Sequence, residues 1–120
     1  MARTQGPLTT PGQSLRRRDF SRVTQAGRRR SSRFFLVFGS QREDQGPARM
    51  GITVTRKVGN AVRRNRIKRL VREWFRQRRA LITGLDLVII AKRDFPAAVK
   101  QGEVNRDLDE VLGPDGSRLF

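Results

Sequence analysis

Residues 56–76 read Arg-Lys-Val-Gly-Asn-Ala-Val-Arg-Arg-Asn-Arg-Ile-Lys-Arg-Leu-Val-Arg-Glu-Trp-Phe-Arg, a dense run of cations with one acid, Glu73. The same run keeps apolar residues at helical spacing. With Ile67 at zero and about 100° per residue, Leu70, Val71, Trp74 and Phe75 lie within roughly 80° of it. Asn65, Arg69, Arg72 and Arg76 fall within about 40° of the opposite pole, flanked by Arg66 and Lys68. One side is therefore written for a core and the other for solvent or a polyanion, which predicts a rigid helix over 59–79 docked on a folded domain. An ordinary solvated face mixes charge signs, because like charges four residues apart (Lys68/Arg72, Arg72/Arg76) repel. This face does not mix them, so nucleic acid is the expected partner. The free amides of the helix start, near Gly59 and Asn60, add a positive dipole end. Asn65, a poor helix former, suggests a base-edge or 2′-hydroxyl contact.

The whole chain carries the same bias: 27 Lys+Arg against 11 Asp+Glu over 120 residues, net +16. Only four of these cations are Lys. Arg suits bidentate phosphate contacts and stacking, although codon bias also favours it. There is no Cys and no His. Disulfides and thiolate metal sites are thereby excluded, along with the commonest general base. No apolar run reaches membrane-spanning length and no apolar signal segment opens the chain. The expectation is a soluble, cytoplasmic protein without a membrane or disulfide partner.

The remaining elements follow from pattern. Residues 1–13, rich in Gly, Pro, Thr and Gln, read as a disordered tail. Leu15, Phe20 and Val23, with Gly27 beyond, predict a helix over 17–26. Arg28 to Arg33 read as a basic connection. Phe34 to Phe38 reads as a strand and Gly39 to Pro47 as a loop. Met50 to Thr55 alternates, with Met50, Ile52 and Val54 toward the core and Gly51, Thr53 and Thr55 outward. Leu85 to Ala91 reads as a buried apolar strand. A last helical stretch opens at Pro96 and ends near Leu112, before Gly113-Pro114-Asp115-Gly116. Residues 14–113 form one domain and 114–120 a flexible tail. The order α-β-β-α-β-α predicts a small two-layer α/β (α+β) sandwich with helices mainly on one sheet face.

Arg64-Asn65-Arg66-Ile67-Lys68-Arg69-Leu70-Val71-Arg72-Glu73, preceded by Gly51-Ile52-Thr53-Val54-Thr55-Arg56-Lys57-Val58-Gly59-Asn60-Ala61-Val62, closely resembles the signature of the bacterial ribonuclease P protein subunit. The resemblance spans roughly residues 15–112. It implies an α/β sandwich with an unusual left-handed β-α-β crossover, bound one-to-one to a large catalytic RNA. It also implies that the RNA, with Mg²⁺, cleaves precursor tRNA, and that the protein holds the 5′ leader without catalytic residues or a cofactor of its own. The candidate RNA contacts are Arg56, Lys57, Arg63, Arg64, Asn65, Arg66, Lys68, Arg69, Arg72 and Arg76. Phe20 and Phe38 match family positions lining a leader cleft. An open face with Thr53, Thr55 and an aromatic offers bases a stacking platform, flanked by Arg16, Arg17 and Arg18, with Lys92 and Arg93 further off. Thr24 stands where many members carry a second cleft aromatic, and Arg56 where Lys is common. Asp107, Asp109 and Glu110 read as a solvated acidic face. Two rivals share the charge: a ribosomal or other structured-RNA-binding protein, and a DNA-binding module. The latter is disfavoured because the stripe has few short polar residues for base edges.

Overall fold

The computed structural model describes residues 14–120, so the 1–13 tail lies outside the described residues. The elements run α1 (Arg17–Ala26), β1 (Arg28–Ser31), β2 (Phe35–Gln41), β3 (Arg49–Thr53), α2 (Ala61–Arg78), β4 (Leu85–Ala91), α3 (Gln101–Leu112) and a 3-10 turn at Ser117–Leu119. One four-stranded sheet has the order β1-β2-β4-β3. β1 and β2 form an antiparallel hairpin, β2 and β4 are antiparallel, and β3 runs parallel to β4 through the β3-α2-β4 crossover.

The central strand β4 explains why the sheet is covered on both sides. Leu85, Leu87, Ile89 and Ala91 enter the large core with Ile67, Val71, Trp74 and Phe75 of α2 and Val104, Leu108 and Leu112 of α3. Val88 turns the other way, into a small core with Leu15, Val23 and Phe38, against which Phe20, Leu36 and Ile90 pack. Two helices thus share one face, and α1 covers the other. The four α2 anchors are wholly buried. At about 1.5–3 kcal/mol each, they outweigh like-charge repulsion of roughly 0.2–0.5 kcal/mol per pair along the helix. Asn60 caps α2, its Oδ1 accepting from the Arg63 amide at 2.9 Å.

Several boundaries differ from the sequence reading, each for a physical reason. Arg28–Ser31 is a strand, all four residues exposed, and not a connection. Three arginines have neither alternation nor apolar weight, and only pairing with β2 makes them extended. β2 runs on through Gln41 because Gly39, Ser40 and Gln41 pair with Leu87, Asp86 and Leu85. Gly51, expected to face outward, is covered: a Cβ there would sit 2.2 Å from Phe20 Cζ, so the α1 aromatic lies directly on β3. The last helix begins at Gln101, not Pro96, because 95–99 is an irregular segment with a turn at Ala97-Ala98, whose Phe95 and Val99 are buried in the large core. The 114–120 segment is no free tail, since Leu119 is buried in that core against the bare face of Gly39.

Asp107 and Asp109 are not a solvated face. Asp107 accepts from the Ser32 hydroxyl (2.7 Å) and from the Arg33 and Phe34 amides (2.9 and 3.0 Å), closing the β1–β2 turn. Asp109 accepts the Trp74 indole N–H at 2.9 Å and a two-pronged Arg78 contact at 2.6 and 2.8 Å, tying α3 to α2.

Candidate nucleic-acid interface

α2 presents its cations in three different states. Lys68, Arg69 and Arg72 have no carboxylate partner among the described residues, and neither do Arg56 and Lys57, both exposed in the turn before the helix. Asn65 and Arg69 are exposed. Arg64 is half-buried, its Nε donating to the Gly59 carbonyl at 3.2 Å. Arg76 is partly spent: its guanidinium meets Glu73 at 2.6 Å, which holds the Glu73 carboxyl below its ordinary value. Arg63 and Arg66 are clamps. Arg63 Nη2 donates to the Phe95 carbonyl, and Arg66 donates to Ala97 (3.3 Å) and Val99 (2.5 Å). These two secure the β4–α3 connection, each half-buried on α2. Spacing on one helix could not reveal this, because the carbonyls lie about thirty residues downstream.

The first turn of α2 has no acidic residue, so no side chain of the helix offsets its positive dipole end. Val62, beside it, is 79% exposed and interrupts the cations with an apolar surface that charge patterning does not register.

A groove of about 580 Å³ runs alongside, walled by Arg17, Phe20 and Ser21 of α1, by Ile52 and Thr53 of β3, and by Lys68 of α2. Phe20, Thr53 and a candidate RNA-contact lysine thus meet in one place. The other expected cleft residues do not line it. Phe38 is buried beneath α1 in the small core. Thr55 and Arg16 are exposed beyond the groove lining. Lys92 reaches the β1–β2 turn, where Nζ donates to Ser31 Oγ at 2.6 Å and the Ser32 carbonyl at 2.5 Å. Thr24 Oγ1 bonds back to the Phe20 carbonyl at 2.9 Å.

What fixes the α1 wall is a residue the apolar reading of 85–91 passed over. Asp86, 0% exposed, accepts from Arg22 of α1 (2.7 Å), Arg42 (3.0 Å) and Arg49 (2.8 Å from Nε, 2.8 Å from Nη2). Burial alone would push its carboxyl up, but the hydrogen bonds from the three guanidiniums prevail and hold it below the ordinary carboxylate value. Three positive side chains from α1, the β2–β3 connection and β3 converge on one carboxylate, pinning the helix that carries Phe20. The available signal was a lone acid inside an otherwise apolar strand.

Among the described residues no group of three or more His, Cys, Asp or Glu is placed to hold a metal, and no helix is long and apolar enough to cross a membrane.

Comparison with known proteins places this geometry. The sequence model of the family described as Ribonuclease P matches residues 13–114. The ribonuclease P protein component of Desulforapulum autotrophicum is 38% identical over 100 residues, covering 82% of this chain and 83% of the relative. That of Oleidesulfovibrio alaskensis is 46% identical over 88 residues, covering 72% and 70%. The solved RNase P protein of Thermotoga maritima superposes with a TM-score of 0.74 at 34% identity, over 83% of this chain and 94% of that one. The Staphylococcus aureus RNase P protein gives 0.74 at 31% identity, over 83% and 91%. With its sheet order, its basic crossover helix and its Arg64-Asn65-Arg66 segment all accounted for, the chain belongs to the ribonuclease P protein family.

Proposed function

We propose that this chain is the protein subunit of a ribonuclease P, docking on the catalytic RNA through α2 and holding the 5′ leader of precursor tRNA in the groove beside Phe20. The observation that carries the reading is the row of α2 cations that the protein's own acids leave uncompensated, bordering through Lys68 a groove floored by an aromatic and a threonine. Phosphates of folded RNA neutralise the row, and unstacked leader bases lie on the exposed part of the Phe20 ring without sequence preference.

The chemistry belongs to the RNA in this reading. The protein has no His or Cys, and Asp86, Asp107 and Asp109 are engaged by donors of their own chain. On the cationic face the acid is Glu73, already paired with Arg76. This donor set does not fit a hydrated Mg²⁺, which asks for free carboxylate oxygens. Mg²⁺ is therefore assigned to RNA phosphates. The protein offsets phosphate repulsion and positions the substrate, acting as a non-catalytic subunit of an endoribonuclease.

The test is reconstitution: the purified chain added to the family's RNA should restore precursor tRNA cleavage at low Mg²⁺, and no stimulation would refute the reading. Folded RNA should also displace the chain from duplex DNA; the reverse order would favour a DNA-binding module. The groove has its own test. Phe20→Leu keeps an apolar side chain over Gly51 but removes the stacking face, worth roughly 1–3 kcal/mol per base. Affinity for leader-bearing tRNA should fall about tenfold, with mature tRNA unaffected. An equal fall for both would remove the leader from the groove.

A further inference from the structure

A second cationic surface lies at the far edge of the sheet. The order β1-β2-β4-β3 puts β1 and β3 on opposite edges, three strand spacings or about 14 Å apart. Arg28, Arg29 and Arg30 are all exposed on β1, and Arg33 follows in the turn. Arg29 pairs with Phe38, whose side chain lies on the α1 side, so Arg28 and Arg30 point to the α3 side and the edge is cationic on both faces.

The structure orders these charges without neutralising them. Arg30 donates to the Arg118 carbonyl at 3.2 Å, and the Arg33 guanidinium lies 5.1 Å over the Phe34 ring. Lys92, held at the same turn by Ser31 and Ser32, adds its charge. No ion pair involves Arg28, Arg29, Arg30, Arg33 or Lys92 among the described residues. Of the three carboxylates nearby, Asp107 is occupied by the turn, Glu103 accepts from the Lys100 amide at the start of α3, and Glu110 is left to face the cations. Guarding an edge strand against mispairing takes a single charged residue; a three-arginine run with two further cations beside it exceeds that need and adds self-repulsion.

We propose that the β1 edge is a second, sequence-independent phosphate-backbone site, occupied by a segment of the catalytic RNA distinct from the one that meets α2. This rests on the RNA reading above. Cations on the β1 edge and on α2 suit a protein wedged between two segments of one large RNA, whereas the substrate strand is assigned to the groove on the β3 side. Outward backbone amides of the edge strand supplement the guanidiniums as phosphate donors.

The experiment compares wild type, R28Q/R29Q/R30Q and R28K/R29K/R30K, each checked for an unchanged thermal melt. Affinity for the catalytic RNA is measured across a salt series, and affinity of the assembled particle for precursor tRNA separately. The Gln variant should bind the catalytic RNA at least about tenfold more weakly, with a log-log salt slope shallower by roughly two to three, near one per lost phosphate contact. The Lys variant should stay near wild type, and precursor tRNA affinity should not move. The proposal is overturned if the Gln variant matches wild type on the catalytic RNA, if the loss is confined to precursor tRNA, or if the Lys variant is as weak as the Gln variant. Wild type failing to bind the RNA at all would refute the RNA reading itself, a different outcome from an inert β1 edge.

Discussion

Asp86→Asn is expected to remove about 3–5 kcal/mol of folding stability, because an uncharged amide leaves Arg49 with no carboxylate partner and Arg22 and Arg42 with only Asp19 and Asp44, around a buried site. Arg22, Arg42 and Arg49 reach Asp86 from separate parts of the chain, so their mutual repulsion is exposed at once when the carboxylate is lost. Against a total of roughly 5–15 kcal/mol for a domain of this size, the variant should be partly unfolded under mild denaturant. The pH dependence follows from the direction of the shift. The Asp86 carboxyl is held below its ordinary 3.8 in the folded protein. Its contribution is therefore complete above that pH and lost as pH falls through the lowered folded value. Urea midpoints should separate wild type from Asp86→Asn most widely near neutrality and converge below about pH 4. A neutral-pH difference under about 1 kcal/mol would show that the three arginines do not depend on Asp86.

R64Q/R69Q/R72Q is expected to weaken binding to the catalytic RNA about a thousandfold at physiological salt while leaving the melt nearly unchanged. Each lost guanidinium–phosphate contact is taken at about 1.5 kcal/mol, the low end for charge-assisted bonds because the face is wet. Within the protein the Arg64 side chain makes only the Gly59 contact, and the Arg69 and Arg72 side chains make no hydrogen bond among the described residues, so folding has little to lose. Arg63→Gln and Arg66→Gln should behave differently. They would loosen the 95–99 segment and lower stability together with affinity. Equal and purely RNA-specific losses for the two sets would contradict the division of α2 into RNA contacts and clamps.

How much of this the sequence carried depends on what each element is made of. α1 and β4 have the bounds read from pattern, since α1 carries apolar residues ahead of a glycine stop and β4 is apolar on both faces. β1 was illegible because an edge strand of arginines is extended only by its partner. The basic face of α2 could be read from a helical wheel, but the engagement of Arg63 and Arg66 by carbonyls at 95–99 could not, because periodicity is blind to distant loops. Phe20 in the groove was legible by resemblance. The burial of Phe38 was not, because it depends on α1 lying across that face. Asp86 was the missed signal of most consequence: one acid in an apolar strand implies buried partners, and these set the groove wall.

Because the chain has no cysteine, Asn65→Cys gives one attachment point, exposed in the middle of the proposed docking face. A short photo-crosslinker there, in the reconstituted particle at physiological salt, should join the protein to the catalytic RNA at a discrete set of nucleotides. The same probe at Gln45→Cys, on the exposed loop between β2 and β3, should not. Crosslinks from position 65 that are absent, or no more frequent than those from position 45, would mean that the arginine side of α2 does not rest on that RNA.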